Sequence, residues 1–283
     1  MKVFFRCDYS NKIGGGHLFR CLKFAEYLKE KKKECFFLMK SYSDKYDKIL
    51  KKKGFNIIKL KKKNNEFQDA YETLKKIFLK TNKKEKIYII KDNYNLKKNW
   101  EKIIIKKFKN LIVIDDYIKR QYNARFIINP NYYTKKNIKI LKKNCRLTYL
   151  IGSKFAFISK KFYFVRKYLL NNDKKRKNIL IFFGSSDDKN QTERVLKIVS
   201  KINLLNIKIY IILGDLFRNK KKLIKKFKKK NNLIFLNHQD SLIGLLKKTF
   251  LFIGSGGTIT WERSCLGVPG LIIGTGSNQD LIN

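Results

Sequence analysis

Near its start the chain reads Val3-Phe4-Phe5-Arg6-Cys7-Asp8-Tyr9-Ser10-Asn11-Lys12-Ile13-Gly14-Gly15-Gly16-His17-Leu18-Phe19-Arg20. A short apolar run comes first, three glycines follow, and apolar residues then recur with helical spacing from Leu18 onward. This order predicts a strand, a tight turn and a helix. Unpaired N–H groups and the helix dipole attract anions to such a helix start. His17 stands there, and it is either a cap of the helix or a group with a chemical role.

The composition predicts a folded chain with an excess of positive charge. Hydrophobic residues make up 43% of the 283 positions and occur in blocks, which is enough for buried cores in two domains. The 67 basic and 22 acidic residues give a formal charge of +45, which by itself favours nucleic acid or an anionic surface as partner. The lysines, however, occur almost everywhere between apolar blocks, as an AT-rich coding sequence would produce. We therefore expect only weak, salt-sensitive attraction to polyanions and no specific nucleic-acid partner.

The cysteines and the lengths of the apolar runs favour a cytoplasmic location. Five widely spaced cysteines without a C-x-x-C pair favour a reducing environment and predict neither a disulfide framework nor a zinc site. No leader precedes the first strand, and no apolar run approaches the roughly 20 residues that span a bilayer. We expect a cytoplasmic monomer that does not insert into membranes. The five cysteines are Cys7, Cys21, Cys35, Cys145 and Cys265.

Short apolar blocks alternate with helical stretches through the first half, which is typical of a parallel sheet covered on both faces. Asp92, Asp115 and Asp116 follow two of these blocks. They either face a ligand at the carboxyl edge of the sheet or cap the next helix or turn. The predicted strands are Lys2–Phe5, Cys35–Met39, Phe55–Leu60, Ile87–Ile90, Leu111–Ile114, Phe126–Ile128 and Tyr149–Ile151.

The segment over residues 160–178 is charged, is expected to be helical and is interpreted as a linker, and a second alternating series follows it. The α/β pattern thus predicts two Rossmann-like domains, residues 1–170 and 171–283, whose parallel sheets face each other across a cleft. The strands predicted in the second domain are Ile179–Phe183, Ile207–Leu213, Leu233–Leu236, Phe250–Ile253 and Leu271–Ile273.

A second glycine loop, Gly254-Ser255-Gly256-Gly257, follows the fourth of these strands. Thr258 can cap the helix after the loop, and the loop can receive a phosphate. Glu262, one turn into the helix, either accepts hydrogen bonds from a ribose or merely suits a first helical turn. Neither glycine loop completes G-x-G-x-x-G, and no G-K-[ST] follows, so a dinucleotide fingerprint and a P-loop are excluded. His238 lies in a loop after a strand and is interpreted as a surface residue or a contact to a nucleotide.

Together these motifs resemble the UDP-2,4-diacetamido-2,4,6-trideoxy-β-L-altropyranose hydrolases of pseudaminic acid biosynthesis. That family is similar to the MurG-type glycosyltransferases, so the resemblance implies a GT-B-like fold. The motifs that carry it are Arg6-x-Asp8, Ile13-Gly14-x-Gly16-His17-x-x-Arg20, Asp92-x-Tyr94, Asp115-Asp116, Asn129-x-Asn131, Gly152-x-x-Phe155-Ala156-x-Ile158-x-x-x-Phe162, Gly184-x-x-Asp187-x-x-Asn190, Gly256-Gly257-Thr258, Glu262, Gly267-x-Pro269 and Asn278-Gln279.

The resemblance implies hydrolysis of the bond between sugar C1 and the diphosphate of a UDP-sugar, which releases UDP and the free sugar. It implies that His17 is the general base, that Tyr94 lies at the active site, and that no metal or cofactor takes part. Glu262 would hold the ribose. The full set implied to bind substrate is Asp8, Gly14, Gly16, Arg20, Gly256, Gly257, Thr258, Glu262, Asn278 and Gln279.

Some positions depart from the family pattern. Gly184-Ser185 stands where Gly-Gly is usual, and Ser159-Lys160-Lys161 replaces an arginine and acids. The sequence ends at Asn283, so we expect it to lack the closing helix of the fold. Two alternatives stay open: a GT-B glycosyltransferase in which His17 deprotonates an acceptor hydroxyl, and, from a different class, a basic nucleic-acid-binding protein.

Overall fold

The computed structural model describes residues 1–9, 15–40, 44–61, 65–118, 120–131, 147–171, 176–202, 204 and 206–274. The chain divides into two compact units, Met1–Phe157 and Ile158–Asn283. Each unit contains a sheet whose described strands all pair in parallel. The predicted pair of parallel α/β domains is thus confirmed.

The first unit contains a seven-stranded sheet of order β3-β2-β1-β4-β5-β6-β7. The strands are β1 Lys2–Cys7, β2 Glu34–Met39, β3 Asn56–Lys59, β4 Ile87–Asp92, β5 Leu111–Ile114, β6 Phe126–Asn129 and β7 Thr148–Ile151. The helices are α1 Gly16–Glu30, α2 Asp44–Lys52, α3 Glu66–Phe78 and α4 Lys98–Lys107, and a short 3₁₀ turn covers Ser153–Phe155.

The central strands of this sheet are buried on both faces. Phe4 and Phe36, on neighbouring strands, stack with ring centroids 4.8 Å apart, and Trp100 of α4 is fully buried in the same core. Helix α1 buries Leu18 and Ala25. Burying each such side chain contributes about 1.5–3 kcal/mol, which explains why continuous apolar runs form the strands. Because all strands are parallel, their carboxyl ends lie at one edge of the sheet.

The second unit contains a five-stranded sheet of order β10-β9-β8-β11-β12. Its strands are β8 Asn178–Phe182, β9 Lys208–Leu213, β10 Leu233–Asn237, β11 Thr249–Gly254 and β12 Gly270–Ile272. Its helices are α5 Lys160–Asn171, α6 Gln191–Val199, α7 Lys220–Phe227, α8 Ile243–Leu246 and α9 Thr258–Cys265.

The predicted linker is in large part helix α5, and the units divide at 157/158 rather than near residue 170. Phe162 is buried, and Val165 and Leu169 pack beside it against the core that contains Leu180 and Phe252. This apolar stripe at helical spacing attaches α5 to the second sheet. The surrounding lysines concealed the stripe in the sequence.

Candidate active site

His17 lies in the first turn of α1, and its side chain reaches the carboxyl end of β4. The helix begins at Gly16 after Gly15, whose carbonyl accepts the N–H of Phe19 at 3.0 Å. The His17 side chain is 11% exposed, and its Nδ1 atom lies 2.5 Å from Oδ1 of Asp92. Asp92, the last residue of β4, is fully buried. A strand end and a helix start are thereby joined through one histidine–carboxylate contact.

Arg20, one turn further along α1, connects Asp92 to a second carboxylate. Its Nε donates to Oδ2 of Asp92 and its Nη2 to Oδ1 at 2.5 Å, while Nη1 donates to both oxygens of Asp116 at 2.8 Å. Burial opposes the positive charge, but Asp116 and Asp92 outweigh burial and raise the pKa of Arg20 well above its usual value. Arg20 therefore stays charged and holds the ends of β4 and β5 together.

The pKa of Asp92 lies well below its usual range. Burial by itself would raise that pKa, but the charge and hydrogen bonds of Arg20 and His17 more than offset the burial. An ionised carboxylate can only accept hydrogen bonds, so Nδ1 of His17 carries the proton of this contact. In the neutral imidazole the lone pair then lies on Nε2, which is the arrangement that a general base requires.

Tyr94 lies in the loop after β4 and contacts both His17 and Asp116. Its ring meets the ring of His17 edge to face, with centroids 4.6 Å apart, and its hydroxyl donates to Oδ2 of Asp116. Burial and the nearby Asp116 carboxylate raise the pKa of Tyr94 well above its usual value, despite the opposing charge of Arg20. Tyr94 therefore remains a protonated donor at neutral pH. We call His17, Arg20, Asp92, Tyr94 and Asp116 the His17 cluster.

Asp8 is buried in contacts with three neighbouring segments, and its predicted role in substrate binding stays a prediction. Its Oδ1 accepts the N–H of Lys40 at 2.7 Å, and its Oδ2 accepts the side chain of Asn93 at 2.8 Å. Nη1 of Arg6 lies 2.9 Å from the same Oδ2. Asp8 is buried, and these partners follow or belong to β1, β2 and β4. Asp8 thus connects three strand ends at the edge where the His17 cluster lies.

Beneath Asp8, Arg6 continues the buried polar network. Its Nε and Nη2 donate to the two oxygens of Asp69 at 3.1 and 2.7 Å, and Trp100 donates to the same carboxylate at 2.9 Å. Burial opposes the charge of Arg6, but Asp8 and Asp69 raise its pKa. The role of Asp69 was not predictable from the sequence, because a single acid within a helical stretch carries no local signal of a partner 63 positions away.

A pocket of about 330 Å³ opens at the same edge, on the side where α3 and α4 begin. Asn95, the residue after Tyr94, belongs to its lining, as does Lys40, whose N–H bonds to Asp8. Amide, ammonium and carboxylate groups combine there with an exposed aromatic ring. The lining residues are Lys40, Asn65, Glu66, Phe67, Asn95, Leu96 and Asn99.

The second glycine loop lies between β11 and α9. The helix begins at Thr258 with Gly257 as its N-cap, so the prediction that Thr258 caps the helix was wrong. The N–H of Gly257 points to Oγ1 of Thr260 at 3.4 Å, a weak bond that partly satisfies this N–H internally. Glu262 is buried at 8% exposure within α9.

Two glycines allow loops to pack closely at this edge of the second sheet. A Cβ on Gly254 would overlap the carbonyl oxygen of Phe182, and one on Gly214 would overlap the carbonyl oxygens of Gly184 and Ser185. Side chains at these two positions would therefore separate the carboxyl ends of β8, β9 and β11.

The remaining predicted positions are distributed as follows. Gly16 is the first residue of α1, beside His17. His238 is partly buried, with Nδ1 3.8 Å from Oδ2 of Asp215. Gly14, Asn278 and Gln279 lie outside the described residues, and their roles stay predictions. Within the ranges described above, no group of three or more His, Cys, Asp or Glu side chains could hold a metal ion, and no helix is long and apolar enough to cross a membrane.

Comparison with known proteins identified two relatives by sequence, while no protein-family model matches the chain. The chain is 30% identical to Uncharacterized protein MJ1062 of Methanocaldococcus jannaschii over 283 residues, which cover 96% of the chain but 55% of that protein. It therefore spans little more than half the length of this relative. It is also 26% identical over 245 residues to UDP-2,4-diacetamido-2,4,6-trideoxy-beta-L-altropyranose hydrolase of Campylobacter jejuni, with 85% of this chain and 80% of that protein covered.

Solved structures resemble the chain over almost its whole length. MurG of Acinetobacter baumannii matches 99% of the chain with a TM-score of 0.63 at 13% identity, with 81% of MurG covered. UDP-GlcNAc 2-epimerase of Neisseria meningitidis matches 99% with a TM-score of 0.61 at 13% identity, with 84% of that protein covered. At these identities the likeness shows the fold alone, and the fold is that of the GT-B enzymes.

Proposed function

We propose that this chain acts on UDP-sugars and hydrolyses a UDP-linked 2,4-diacetamido-2,4,6-trideoxyhexose to UDP and the free sugar. The contact between His17 and the buried, ionised Asp92 carries the proposal, because it presents Nε2 as a base at a helix start. The similarity to the Campylobacter jejuni hydrolase supports the choice of sugar and of reaction. The GT-B fold is compatible with this choice, since the UDP-GlcNAc 2-epimerase, whose solved structure is similar to this chain, is bound to a UDP-sugar.

The proposed reaction proceeds by attack of water on C1 of the sugar. Nε2 of His17 removes a proton as the water oxygen bonds to C1. The bond from C1 to the diphosphate oxygen breaks, and its electron pair leaves with UDP. Asp92 stabilises the imidazolium that forms, and Arg20 keeps Asp92 ionised. General base catalysis of this kind typically contributes about 10²–10⁴ in rate.

We assign the nucleotide to the second unit. Backbone N–H groups at a helix start suit a diphosphate, and the loop over Gly256, Gly257 and Thr258 leads into α9. Because the N–H of Gly257 already makes a weak hydrogen bond to Thr260, the diphosphate would be attracted mainly by the helix dipole and by the other N–H groups of the loop. Glu262 is assigned to the ribose. For the sugar we assign Gly14, Asn278 and Gln279 on the strength of the resemblance.

A glycosyltransferase of the same fold is the second candidate. It is favoured by the likeness to MurG, and the His17 cluster could equally deprotonate the hydroxyl of an acceptor. The two candidates differ in product. The hydrolase releases UDP and free sugar when water is the only acceptor, whereas the transferase needs an added acceptor for turnover.

The test incubates the purified chain with UDP-linked diacetamido-trideoxyhexoses and follows UDP and free sugar by chromatography. We expect turnover without acceptor, and we expect His17→Gln to lower kcat by about 10²–10⁴ while the Kd for UDP changes little. His238→Gln is the matched control, because it alters the other histidine of the chain, and it should leave kcat unchanged. Full activity of His17→Gln would overturn the assignment of the base. UDP release that depends on an added acceptor would favour the transferase.

A further inference from the structure

Helix α5 has one buried and one exposed face. Phe162, Val165 and Leu169 face the core of the second unit. On the opposite side Tyr163 is 59% and Phe164 is 72% exposed. With 3.6 residues per turn, Tyr163 and Phe164 lie on either side of the middle of this exposed face. These two rings, together with Tyr168, which is 49% exposed, are thus kept in water on a helix that has already buried an apolar stripe.

Cations surround these rings, and the helix contains no acid. The helix reads Lys160-Lys161-Phe162-Tyr163-Phe164-Val165-Arg166-Lys167-Tyr168-Leu169-Leu170-Asn171. Lys161 and Lys167 are exposed on the same side as Phe164. Helix α3 also exposes aromatic rings, but it carries the partly exposed acids Glu66 and Glu72 beside them. The combination of exposed rings with basic residues and no acid in the same helix therefore distinguishes α5 from α3.

We propose that the exposed face of α5 docks on the surface of a bilayer that contains anionic lipid. A helix that lies in the membrane interface presents aromatic and aliphatic side chains to the acyl boundary and lysines or arginines to the headgroups. Tyr163 and Phe164 supply the first requirement, and Lys161 and Lys167 supply the second. Charge complementarity selects the occupant, because lipid phosphates are negative and α5 offers only positive groups. This surface is independent of the proposed reaction.

The test measures co-sedimentation of the full chain with vesicles of phosphatidylcholine, with and without phosphatidylglycerol. We expect binding only to the vesicles with phosphatidylglycerol, and a decrease as salt rises. The double variant Tyr163→Ser with Phe164→Ser, which leaves the charge unchanged, should weaken this binding by about tenfold. The variant Lys161→Gln with Lys167→Gln should weaken it by a similar factor.

Two control variants separate docking by α5 from general attraction to a basic protein. Ile198→Ser removes an apolar side chain of α6 that is 63% exposed, on the same unit. Lys221→Gln with Lys222→Gln removes two exposed charges of α7. Both controls should keep at least about half of the wild-type affinity, since they leave α5 intact. Circular dichroism establishes that all variants are folded.

Several results would overturn the proposal. One is equal binding by the double aromatic variant and the wild type, and another is a loss in the α7 charge variant as large as in the α5 charge variant. A third is a change in self-association or in binding of polyuridylate caused by Tyr163→Ser with Phe164→Ser while vesicle binding stays unchanged. That third result would assign the face to a second copy of the chain or to nucleic acid.

Discussion

Nδ1 of His17 lies 2.5 Å from Oδ1 of Asp92, although 75 positions separate the two residues in the chain. The same carboxylate accepts a hydrogen bond from Nη2 of Arg20, so one buried acid orients the histidine and is itself held by the arginine. Because Asp92 is fully buried at the end of a central strand, this geometry depends on the sheet rather than on the loop that contains the glycines.

Asp92→Asn should lower kcat by about 10²-fold or more, because the amide no longer fixes the proton on Nδ1 or stabilises the imidazolium. KM should change little, since Asp92 lies behind His17. The measurement is steady-state UDP release. Asp115→Asn is the matched control: Asp115 also follows a strand, but it accepts the N–H of Tyr117 and lies 3.5 Å from Arg120. Equal losses in both variants would mean that the effect is structural.

Tyr94→Phe should have a smaller effect. The variant keeps the ring against His17 and loses only the hydrogen bond to Asp116, which Arg20 still holds with two bonds. We expect a loss of about 1 kcal/mol in the free energy of unfolding and a decrease of kcat of about fivefold or less. Urea unfolding and initial rates measure the two quantities. A decrease of kcat by several orders of magnitude would instead indicate that the hydroxyl acts on the substrate.

Acid should destabilise the first unit through Asp92. Its pKa is depressed in the folded chain and close to about 4 when unfolded, so the stabilisation is present above about pH 4 and is lost as the pH falls toward the folded value. Urea unfolding at decreasing pH should show this loss in the wild type and a flatter dependence in Asp92→Asn. Trp100 fluorescence reports on this unit when Trp261→Phe removes the other tryptophan. Identical pH dependences would contradict the prediction.

Glu262→Gln should weaken UDP binding by about 10- to 100-fold if its carboxylate holds the ribose, because a hydrogen bond to a charged group contributes about 1.5–3 kcal/mol. Titration calorimetry with UDP measures the change. Glu193→Gln, on helix α6 of the same unit, is the control, since Glu193 pairs with Lys226 near the surface. Unchanged UDP affinity in Glu262→Gln would remove the ribose assignment.

Gly254→Ala should destabilise the second unit by about 1–3 kcal/mol, because the new Cβ would overlap the backbone oxygen of Phe182 and the strands cannot separate without loss of packing. Gly244→Ala is the control: it lies in α8 with open space around a Cβ, and alanine favours the helix. Thermal unfolding compares the two variants. A neutral Gly254→Ala would show that the ends of β8 and β11 can separate at little cost.

The series of apolar blocks was sufficient to predict both parallel sheets, because a strand buried on both faces needs a continuous run of apolar residues. The helix that begins at Gly16, beside His17, was also predictable, since its residues depend on neighbours within one turn. The division of the units at 157/158 was not, because the attachment of α5 depends on Phe162 meeting a core from later strands.

The amino-acid sequence by itself determined the two α/β domains and the place of His17 at a helix start. Only the tertiary structure decided which acid meets His17, since Asp92 ends one strand and Asp115 and Asp116 follow the next. It also showed that Asp8 connects three strand ends through its hydrogen bonds. The physical reason is that the spacing of apolar residues reflects which positions of a helix or strand are buried. Hydrogen bonds at the edge of a sheet join residues far apart in the chain, and no local sequence pattern indicates which residues will pair.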